Sequence, residues 1–254
     1  MTSAAARRFY DTDDPVRWGR PEMPEEHAIT AAWIARESIS GPSLELGCGM
    51  CSLSDVAPRY TGLDLAFRPL TTCNARRICG DMEQLPIADR SAGFVFSWAA
   101  LEHVPNPEKV LAEIARVLRP GGLLLLAPAW HCRTWAAEGL EFRPYSDLSL
   151  TQKIRKSLIP FRTHVLWRAI FEMPRRAMRE LEMLVHAPPF RYKRLRPNLT
   201  EYVGTDCDAF TSMDPHAAIV WFAARGWEIV SHPTRRARLM SRHEPVVVRK
   251  RGER

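Results

Sequence analysis

A short glycine-containing segment holds the residue types and spacing best suited to binding a ligand. It runs from Leu44 to Cys51 and reads LELGCGMC. Gly47 and Gly49 have no side chains, so the backbone of this turn can approach a bound molecule closely. Glu45 lies two residues before the first glycine, where a carboxylate suits a cationic amino group better than a pyrophosphate. The segment therefore predicts a site for a ligand that carries a positive charge.

Two other interpretations of this segment meet obstacles in the sequence. A dinucleotide site of the G-x-G-x-x-G type would need glycine at position 52, which is Ser52. Cys48 and Cys51 form a C-x-x-C pair, but a redox pair belongs at a helix N-terminus in a thioredoxin-like context. Here the pair lies inside the glycine turn, so we do not predict a redox function for it.

Acidic residues follow the next two predicted strands. Asp64 lies near the end of the second strand, where a carboxylate can accept hydrogen bonds from both hydroxyls of a ribose. Asp81 follows the third strand and can accept a hydrogen bond from an adenine amino group, with Met82 packed on the ring. The alternatives are solvated loop acids and a core methionine. The order strand, G-x-G, helix, strand, acid favours the nucleoside interpretation for Asp64.

Strand and helix patterns alternate along most of the chain, which is typical of βαβ units and a parallel sheet. The pattern changes after about residue 131. Residues 147–186 are predicted to be mainly helical with breaks at Pro160 and Pro174, and residues 187–200 are predicted to be irregular. Predicted strands are 43–46, 60–65, 77–79, 93–98, 123–127, 227–231 and 245–248, and the clearest predicted helices are 26–39, 106–119 and 215–225.

Residues 40–130 resemble a known family, the class I S-adenosylmethionine-dependent methyltransferases, in the branch often called methyltransferase type 11. The resemblance rests on LELGCG, on GLD, and on the block GDMEQLPIADRSAGFVFSWAALEHVPNPEKVLAEIARVLRPGGLLLLAPAW. It implies an α/β, Rossmann-like, doubly wound fold with a mostly parallel seven-stranded sheet and an antiparallel C-terminal hairpin. The chain would add a largely helical insert after the fifth strand.

The resemblance also implies S-adenosylmethionine as cofactor and assigns residues to it. Glu45, Gly47 and Gly49 would hold the methionine portion, Asp64 the ribose, and Asp81 with Met82 the adenine. Ser97 or Trp98 would line the methyl end. Members of the family often have glycine where this chain has Cys51, so weaker cofactor binding is an expectation. The full predicted cofactor set is Glu45, Gly47, Cys48, Gly49, Asp64, Leu65, Asp81, Met82, Ser97 and Trp98.

Two histidines are candidates for a catalytic base. His103 matches the histidine that is common after the fourth strand in this branch, and the alternative is a structural role in the loop before the next helix. His131 follows the fifth strand, at the open end of the sheet where such folds bind ligands. No compact carboxylate cluster is evident at the strand ends, so we expect no metal ion.

Charge and missing motifs narrow the acceptor. The net charge is +7, and residues 131–200 hold fourteen Lys and Arg against six Asp and Glu. Ser97–Ala100 does not carry the Asn/Asp-Pro-Pro-Tyr motif of nucleobase-amine methyltransferases. The sequence favours O-methylation of a small molecule or of a sugar or glycan acceptor. Because the insert is basic, we expect an acceptor that carries negative charge. Alternatives are a lipid or quinone methyltransferase at a membrane surface and an RNA methyltransferase; a non-catalytic binding domain is a further interpretation.

The sequence predicts three parts and a cellular compartment. Residues 1–130 would form the cofactor-binding half, 131–214 an insert that covers the acceptor, and 215–254 the elements that complete the sheet. The six cysteines do not suggest a disulfide framework, so reduced thiols are expected. The N-terminus lacks the apolar stretch of a signal peptide. We therefore expect a cytoplasmic protein, with peripheral contact at the inner membrane face as a second expectation and the oligomeric state open.

Overall fold

The chain is described here by a computed structural model that covers residues 3–18, 20–201 and 203–252. Its centre is a seven-stranded sheet, and two further short strands form a separate antiparallel pair. The nine strands are β1 Ser43–Leu46, β2 Tyr60–Asp64, β3 Arg77–Cys79, β4 Ala92–Trp98, β5 Leu118–Ala127, β6 Tyr192–Arg194, β7 Thr211–Met213, β8 Glu228–Ile229 and β9 Val246–Arg249.

The large sheet has the strand order β3-β2-β1-β4-β5-β9-β8. The first five of these strands are parallel, β9 runs antiparallel to β5, and β8 runs antiparallel to β9. Strand order reverses beside β1, so the carboxyl ends of β1 and β4 lie next to each other at the position where ligands enter open α/β sheets. The predicted doubly wound, mostly parallel sheet with an antiparallel C-terminal hairpin is confirmed.

Helices cover both faces of the sheet. Alternate residues of a strand point to opposite faces, and β4 shows this clearly: Val95 packs in one core cluster, while Phe94 and Phe96 pack in the other. The helices are α1 Ser3–Tyr10, α2 Pro24–Arg36, α3 Phe67–Leu70, α4 Pro107–Val117, α5 Leu150–Ser157, α6 Ile159–Thr163, α7 Val165–Trp167, α8 Met173–Met183, α9 Pro215–Ala223 and α10 Arg235–Met240, with a π-helical turn at Arg168–Glu172.

Several predicted boundaries move, for identifiable reasons. Helix α4 ends at Val117, and β5 begins directly at Leu118 instead of after the Pro120-Gly121-Gly122 step. Gly121 has a φ of +76°, and its amide donates to the carbonyl of Lys250, so the glycine step is absorbed into the sheet edge. Pro160 and Pro174 both stand in the first turn of a helix, where a missing amide hydrogen is tolerated. Helices α1 and α10 were not predicted.

The insert contains a small sheet that the sequence pattern did not reveal. Strand β6 lies in the segment predicted to be irregular, and it pairs antiparallel with β7 in the register Tyr192 to Met213. Two backbone hydrogen bonds connect this pair to the main sheet: the Phe210 amide donates to Glu102, and the His131 amide donates to Met213. The end of the insert is therefore held close to the loops that follow β4 and β5.

The expectation that all thiols are reduced is wrong for one pair. Cys51 and Cys73 form a disulfide whose Cα atoms lie 5.4 Å apart. Neighbouring parallel strands β1 and β2 place the glycine turn beside the segment after α3, and this adjacency brings together cysteines that are 22 positions apart. Cys48, Cys79, Cys132 and Cys207 are free thiols.

The length and composition of the helices bear on membrane insertion. Within the described ranges, each helix is too short or too polar to cross a bilayer.

Candidate functional site

A cavity of about 580 Å³ opens at the carboxyl ends of β1, β2, β3 and β4. This volume is in the range typical of pockets for small molecules and cofactors. Two further parts of the chain close it: the N-terminal segment before α2, and the insert at Thr205–Asp208. Nine residues predicted from the sequence line it, namely Glu45, Gly47, Cys48, Gly49, Asp64, Leu65, Asp81, Met82 and Trp98.

The glycine turn needs both of its glycines for reasons of space and backbone conformation. Gly47 has a φ of +72°, and a Cβ atom there would lie 2.2 Å from the Cβ of Ala100. Gly49 has a φ of +51°, and a Cβ atom there would lie 2.4 Å from the carbonyl oxygen of Trp18. Any side chain would therefore push apart the walls of the cavity and strain the turn.

Asp64 holds the glycine turn against the end of β2. The Gly49 amide donates to its Oδ2 at 2.8 Å, and the Ala66 amide donates to its Oδ1 at 2.9 Å. Burial raises the pKa of Asp64, and these backbone hydrogen bonds oppose that shift. Each carboxylate oxygen has further capacity to accept a hydrogen bond, so Asp64 can support the turn and also accept from a ligand hydroxyl.

Glu45 is a buried acid at the floor of the cavity. Its side chain lies on β1, only 3% of the residue is exposed, and the Tyr60 hydroxyl donates a hydrogen bond to its Oε2. Burial raises the pKa of Glu45 to about 8, although the Tyr60 hydrogen bond acts in the opposite direction. A cation placed in the cavity would favour the charged form.

Asp81 and Met82 each stabilise the fold locally and also line the cavity. The carboxylate of Asp81 accepts from the Glu83 amide at 2.9 Å, which fixes the turn after β3, and the residue lines the cavity. Met82 is buried in the core cluster that includes α4, and it also contacts the cavity. A soft, flexible side chain is suited to packing against a planar ring.

Ser97 does not line the cavity, which corrects one predicted residue. It is buried, and its hydroxyl donates to the carbonyl oxygen of Leu46 at 2.9 Å, so its polar atom joins β4 to β1. Its neighbour Trp98 does reach the cavity, and the indole nitrogen donates to Thr30 at 3.1 Å. Successive side chains of a strand point in opposite directions, so only one of the two faces the ligand space.

His131 also lies outside the cavity, so the structure does not support it as a base there. Its backbone has a φ of +63°, and its amide donates to Met213 in β7. Its ring is 6.1 Å from the ring of His243, in an edge-to-face arrangement. The hydrogen bond to β7 holds His131 beside the insert, two residues beyond Ala129, which does line the cavity.

His103 does line the cavity, between two carboxylates. Its Nε2 lies 3.7 Å from Oε1 of Glu102, and its Nδ1 lies 3.7 Å from Oδ2 of Asp208. Burial lowers the pKa of His103, but the charges of Asp208 and Glu102 raise it by more, so the net shift is upward. The Tyr10 hydroxyl donates to the same Oδ2 of Asp208 at 2.6 Å.

Sequence reasoning missed the partners of His103. Asp208 belongs to the insert and Tyr10 belongs to α1, so these two residues are 198 positions apart in the sequence. The sequence offered one weak signal, the acids at 206 and 208, and none that connected either of them to His103. The N-terminal segment as a whole was also missed, although Tyr10, Trp18 and Arg20 line the cavity.

The charge around the end of the cavity near His103 differs from the charge expected for the acceptor site. Glu102, Asp206 and Asp208 all line this end, and burial raises the pKa of Glu102 and Asp206. Lys153 and Arg155, two of the basic residues of the insert, do not line the cavity. The basic charge of the insert therefore serves another surface.

The polar groups of the cavity fit a nucleoside that carries an ammonium group. Acceptors at Glu45, Asp64 and Asp81 follow three adjacent strands, in the order suited to an amino group, ribose hydroxyls and an adenine amino group. A pyrophosphate in the same place would face the carboxylates of Glu45 and Asp64, which is unfavourable. The geometry therefore fits S-adenosylmethionine better than a dinucleotide.

Comparisons with known proteins support the same assignment. Residues 44–126 match the profile of the family described as "Methyltransferase domain". Over 133 residues the chain is 32% identical to a phthiotriol/phenolphthiotriol dimycocerosates methyltransferase of Mycobacterium ulcerans, which covers 45% of this chain and 49% of that protein. Over 127 residues it is 33% identical to a malonyl-[acyl-carrier protein] O-methyltransferase of Alcanivorax borkumensis, which covers 41% and 42%.

A solved structure gives a third comparison. The chain is 24% identical to an amino pentose methyltransferase from Micromonospora echinaspora, solved with S-adenosylmethionine bound, with a TM-score of 0.38 over 50% of this chain and 56% of that one. The chain spans about half the length of the curated relatives it matches. The matched segment carries the glycine turn and the strand-end acids, and through this segment the chain is similar to class I S-adenosylmethionine-dependent methyltransferases of the type 11 branch.

Proposed function

We propose that this protein binds S-adenosylmethionine in the cavity and transfers its methyl group to an acceptor that enters beside His103. One observation carries the proposal: the residues assigned to the cofactor from the sequence lie at or just after the ends of four different strands, yet nine of the ten line one cavity. We further propose that residues 131–214 contribute the acceptor side, because Asp206 and Asp208 of this insert line the same end of the cavity as His103.

The chemistry needs positioning and removal of a proton. When bound, the cofactor would supply a methyl group on a sulfonium, and attack of the acceptor oxygen on this methyl carbon would break the carbon–sulfur bond and release the neutral thioether. His103 is the residue placed to take the acceptor's proton, and its raised pKa makes it a stronger base. Asp208 and Glu102 would stabilise the imidazolium formed. Trp98 and Ala129 help to enclose the space and exclude water.

The acceptor proposed first is a hydroxyl group of a small molecule or a sugar. Carboxylates of Asp206 and Asp208 at the cavity can accept hydrogen bonds from neighbouring hydroxyls, and they disfavour an acceptor that brings negative charge to this end. The O-methyltransferase name of the Alcanivorax relative is consistent with oxygen as the methylated atom. No metal step is needed in this scheme, and we expect activity to survive a chelator.

A lipid or quinone acceptor is the second candidate. It is favoured by the apolar side chains that remain exposed on the helices of the insert, among them Phe161, Ile170 and Leu184. The name of the Mycobacterium relative, a phthiotriol dimycocerosates methyltransferase, points in the same direction. Mass spectrometry of lipid and polar extracts after incubation with labelled methyl donor would distinguish the two candidates.

Cofactor binding is tested by calorimetry with S-adenosylmethionine and NAD and with a variant of the ribose-binding acid. We expect measurable binding of S-adenosylmethionine alone, and Asp64→Asn should weaken it by about tenfold or more, because a charged hydrogen-bond acceptor is worth about 1.5–3 kcal/mol. Asp55→Asn, at an exposed acid that pairs with His27, is the matched control and should leave binding unchanged. Tighter binding of NAD, or an unaffected Asp64→Asn variant, would refute the assignment.

A further inference from the structure

Helix α8 has the reverse of the usual arrangement of polar and apolar faces. Arg176, 2% exposed, points inward, and its Nη2 donates to Oδ1 of Asp214 at 2.8 Å. Glu180 is also buried, 3.2 Å from Nε2 of His216. An ordinary surface helix buries its apolar stripe and exposes its charges. Here, besides Arg175, large apolar side chains are left in solvent. They are Met178 and Leu181 on the helix and Leu184 and Val185 just after it, and the last two are 78% and 85% exposed.

The preceding helices continue this exposed apolar surface. Leu150, Ile154 and Leu158 follow one another at four-residue spacing, so they share one face that starts in α5, and all three are exposed. Trp167 and Phe171 pack ring against ring at 4.3 Å, yet both remain exposed. Exposed apolar patches of this extent mark interaction surfaces.

Positive charges without a carboxylate partner lie among these apolar side chains. Residues 150–186 hold eight Lys and Arg against three Glu. Some of the cations are neutralised, as Arg155 is by Glu138 and Arg179 by Asp214. Within the described part of the chain, Lys153, Arg162 and Arg175 have no ion pair with a carboxylate.

Exposed apolar side chains next to positive charges without carboxylate partners indicate one kind of binding partner. A second copy of the chain would bring the same excess of positive charge against itself, which is unfavourable. We propose that the helical segment 150–185 docks on an anionic lipid bilayer. Its apolar side chains enter the boundary between headgroups and acyl chains, and Lys153, Arg162 and Arg175 contact lipid phosphates. The docking surface is separate from the cavity residues, so it stands whether the acceptor is a lipid or a soluble molecule.

Co-sedimentation with vesicles tests the docking surface. The full chain is mixed with vesicles of phosphatidylcholine alone or with about one third phosphatidylglycerol, an anionic fraction chosen to make each basic residue worth about 1 kcal/mol. We expect binding to the anionic vesicles that weakens as salt is added. Lys153→Glu/Arg162→Glu/Arg175→Glu should weaken it by about a hundredfold, since three such contacts are lost.

A matched variant reverses three exposed arginines that lie just before β2, just before β3 and just after β9. This variant, Arg59→Glu/Arg76→Glu/Arg251→Glu, should leave much of the binding intact. In a second test, Phe161→Ser/Ile170→Ser/Leu184→Ser should also reduce vesicle binding, and circular dichroism should show an unchanged fold because these side chains are exposed. Three results would overturn the proposal: equal binding of the two vesicle types, equal loss in both charge-reversal variants, or a concentration-dependent dimer in light scattering that the serine variant abolishes.

Discussion

At the scale of single residues, the proton on Glu45 should report what fills the cavity. Burial raises its pKa to about 8, so the side chain is mostly protonated at pH 7. The amino group of the proposed cofactor carries a positive charge, which favours the carboxylate and lowers this pKa. Binding should therefore release a proton that comes from a known position.

Calorimetry in two buffers measures that proton. At pH 7 the binding enthalpy of S-adenosylmethionine should differ between phosphate and Tris by the ionisation heat of about one proton. Adenosine, which lacks the amino group of the methionine portion, and the Glu45→Gln variant should both show no such difference. Equal enthalpies in the two buffers for the parent protein would contradict the placement of the amino group beside Glu45.

The pH dependence of thermal stability should also report the protonation of Glu45. The folded-state pKa of Glu45 lies above its ordinary value of 4.5, so the fold binds this proton more tightly than the unfolded chain does. The stabilisation is complete below about pH 4.5 and is lost as pH rises through about 8. Glu45→Gln, which cannot ionise, should therefore lose less thermal stability than the parent between pH 5 and pH 9.

His103 depends on a carboxylate from a distant part of the chain. Burial lowers its pKa, while Asp208 and Glu102 raise it by more. Asp208→Asn removes one negative charge at 3.7 Å, so the pKa of His103 should fall, in NMR titration of the imidazole, by about one unit. Because the folded pKa is raised, the stabilisation is complete below pH 6.5 and is lost as pH rises through the raised value. The variant should thus lose more stability at pH 6 than at pH 9.

The control for this prediction is Asp147→Asn, at an exposed acid in the insert. It should leave the titration of His103 unchanged. If Asp208→Asn also leaves it unchanged, the side chains do not interact as the structure shows, and His103 loses its support as a base.

At the scale of elements, a disulfide fixes the glycine turn to the segment after α3. Cys51 stands in this turn with a φ of +58°, and its bond to Cys73 holds a conformation that glycine would otherwise adopt freely. The thiol of Cys48 lies 3.7 Å from the sulfur of Cys51. Burial raises the pKa of Cys48, which keeps the thiol protonated and a poor nucleophile for disulfide exchange.

Loss of this bond should be measurable in the unfolding equilibrium. Cys73→Ser should reduce the free energy of unfolding by about 3 kcal/mol, because a closed loop of about this length restricts the unfolded chain by that amount. Cys79→Ser, at an exposed free thiol, is the control and should change stability little. Alkylation of the denatured parent should label four cysteines before reduction and six after it. Six labelled cysteines before reduction would exclude the disulfide.

At the scale of the whole molecule, the cavity is closed by a contact between helix α1 and the insert. The Tyr10 hydroxyl of α1 donates to Asp208 of the insert at 2.6 Å, and both residues line the cavity. Tyr10→Phe removes this bond but keeps the ring. It should speed dissociation of S-adenosylmethionine by about tenfold, since a hydrogen bond to a charged group contributes about 1.5–3 kcal/mol. Stopped-flow displacement measures the rate.

The control is Tyr145→Phe, which removes an exposed hydroxyl 3.3 Å from Ser157 and should not change the rate. Equal dissociation rates for Tyr10→Phe and the parent would show that α1 does not retain the cofactor. The contact also explains why the N-terminal segment counts as part of the site although it lies outside the matched family segment.

Local patterns in the sequence specify the large sheet and one wall of the cavity. The period of apolar residues in β1, β4 and α4, and the turn chemistry of Gly47 and Gly49, are local properties that neighbouring residues dictate. Parallel strands align their carboxyl ends, so the sequence order alone predicts that Glu45, Asp64 and Asp81 lie together. Nine of the ten predicted cofactor residues do line the cavity.

The partners of individual side chains depend on contacts between distant segments, and only the tertiary structure shows these contacts. Ser97 donates a hydrogen bond to β1, His131 donates one to β7, and Cys51 forms a disulfide with Cys73. Each contact depends on which segments lie next to each other in space. The partner of His103 comes from residue 208, and the face that α8 turns outward is set by Asp214. A local pattern records the preference of a residue for burial or exposure, but the identity of its neighbour is fixed only when the whole chain packs.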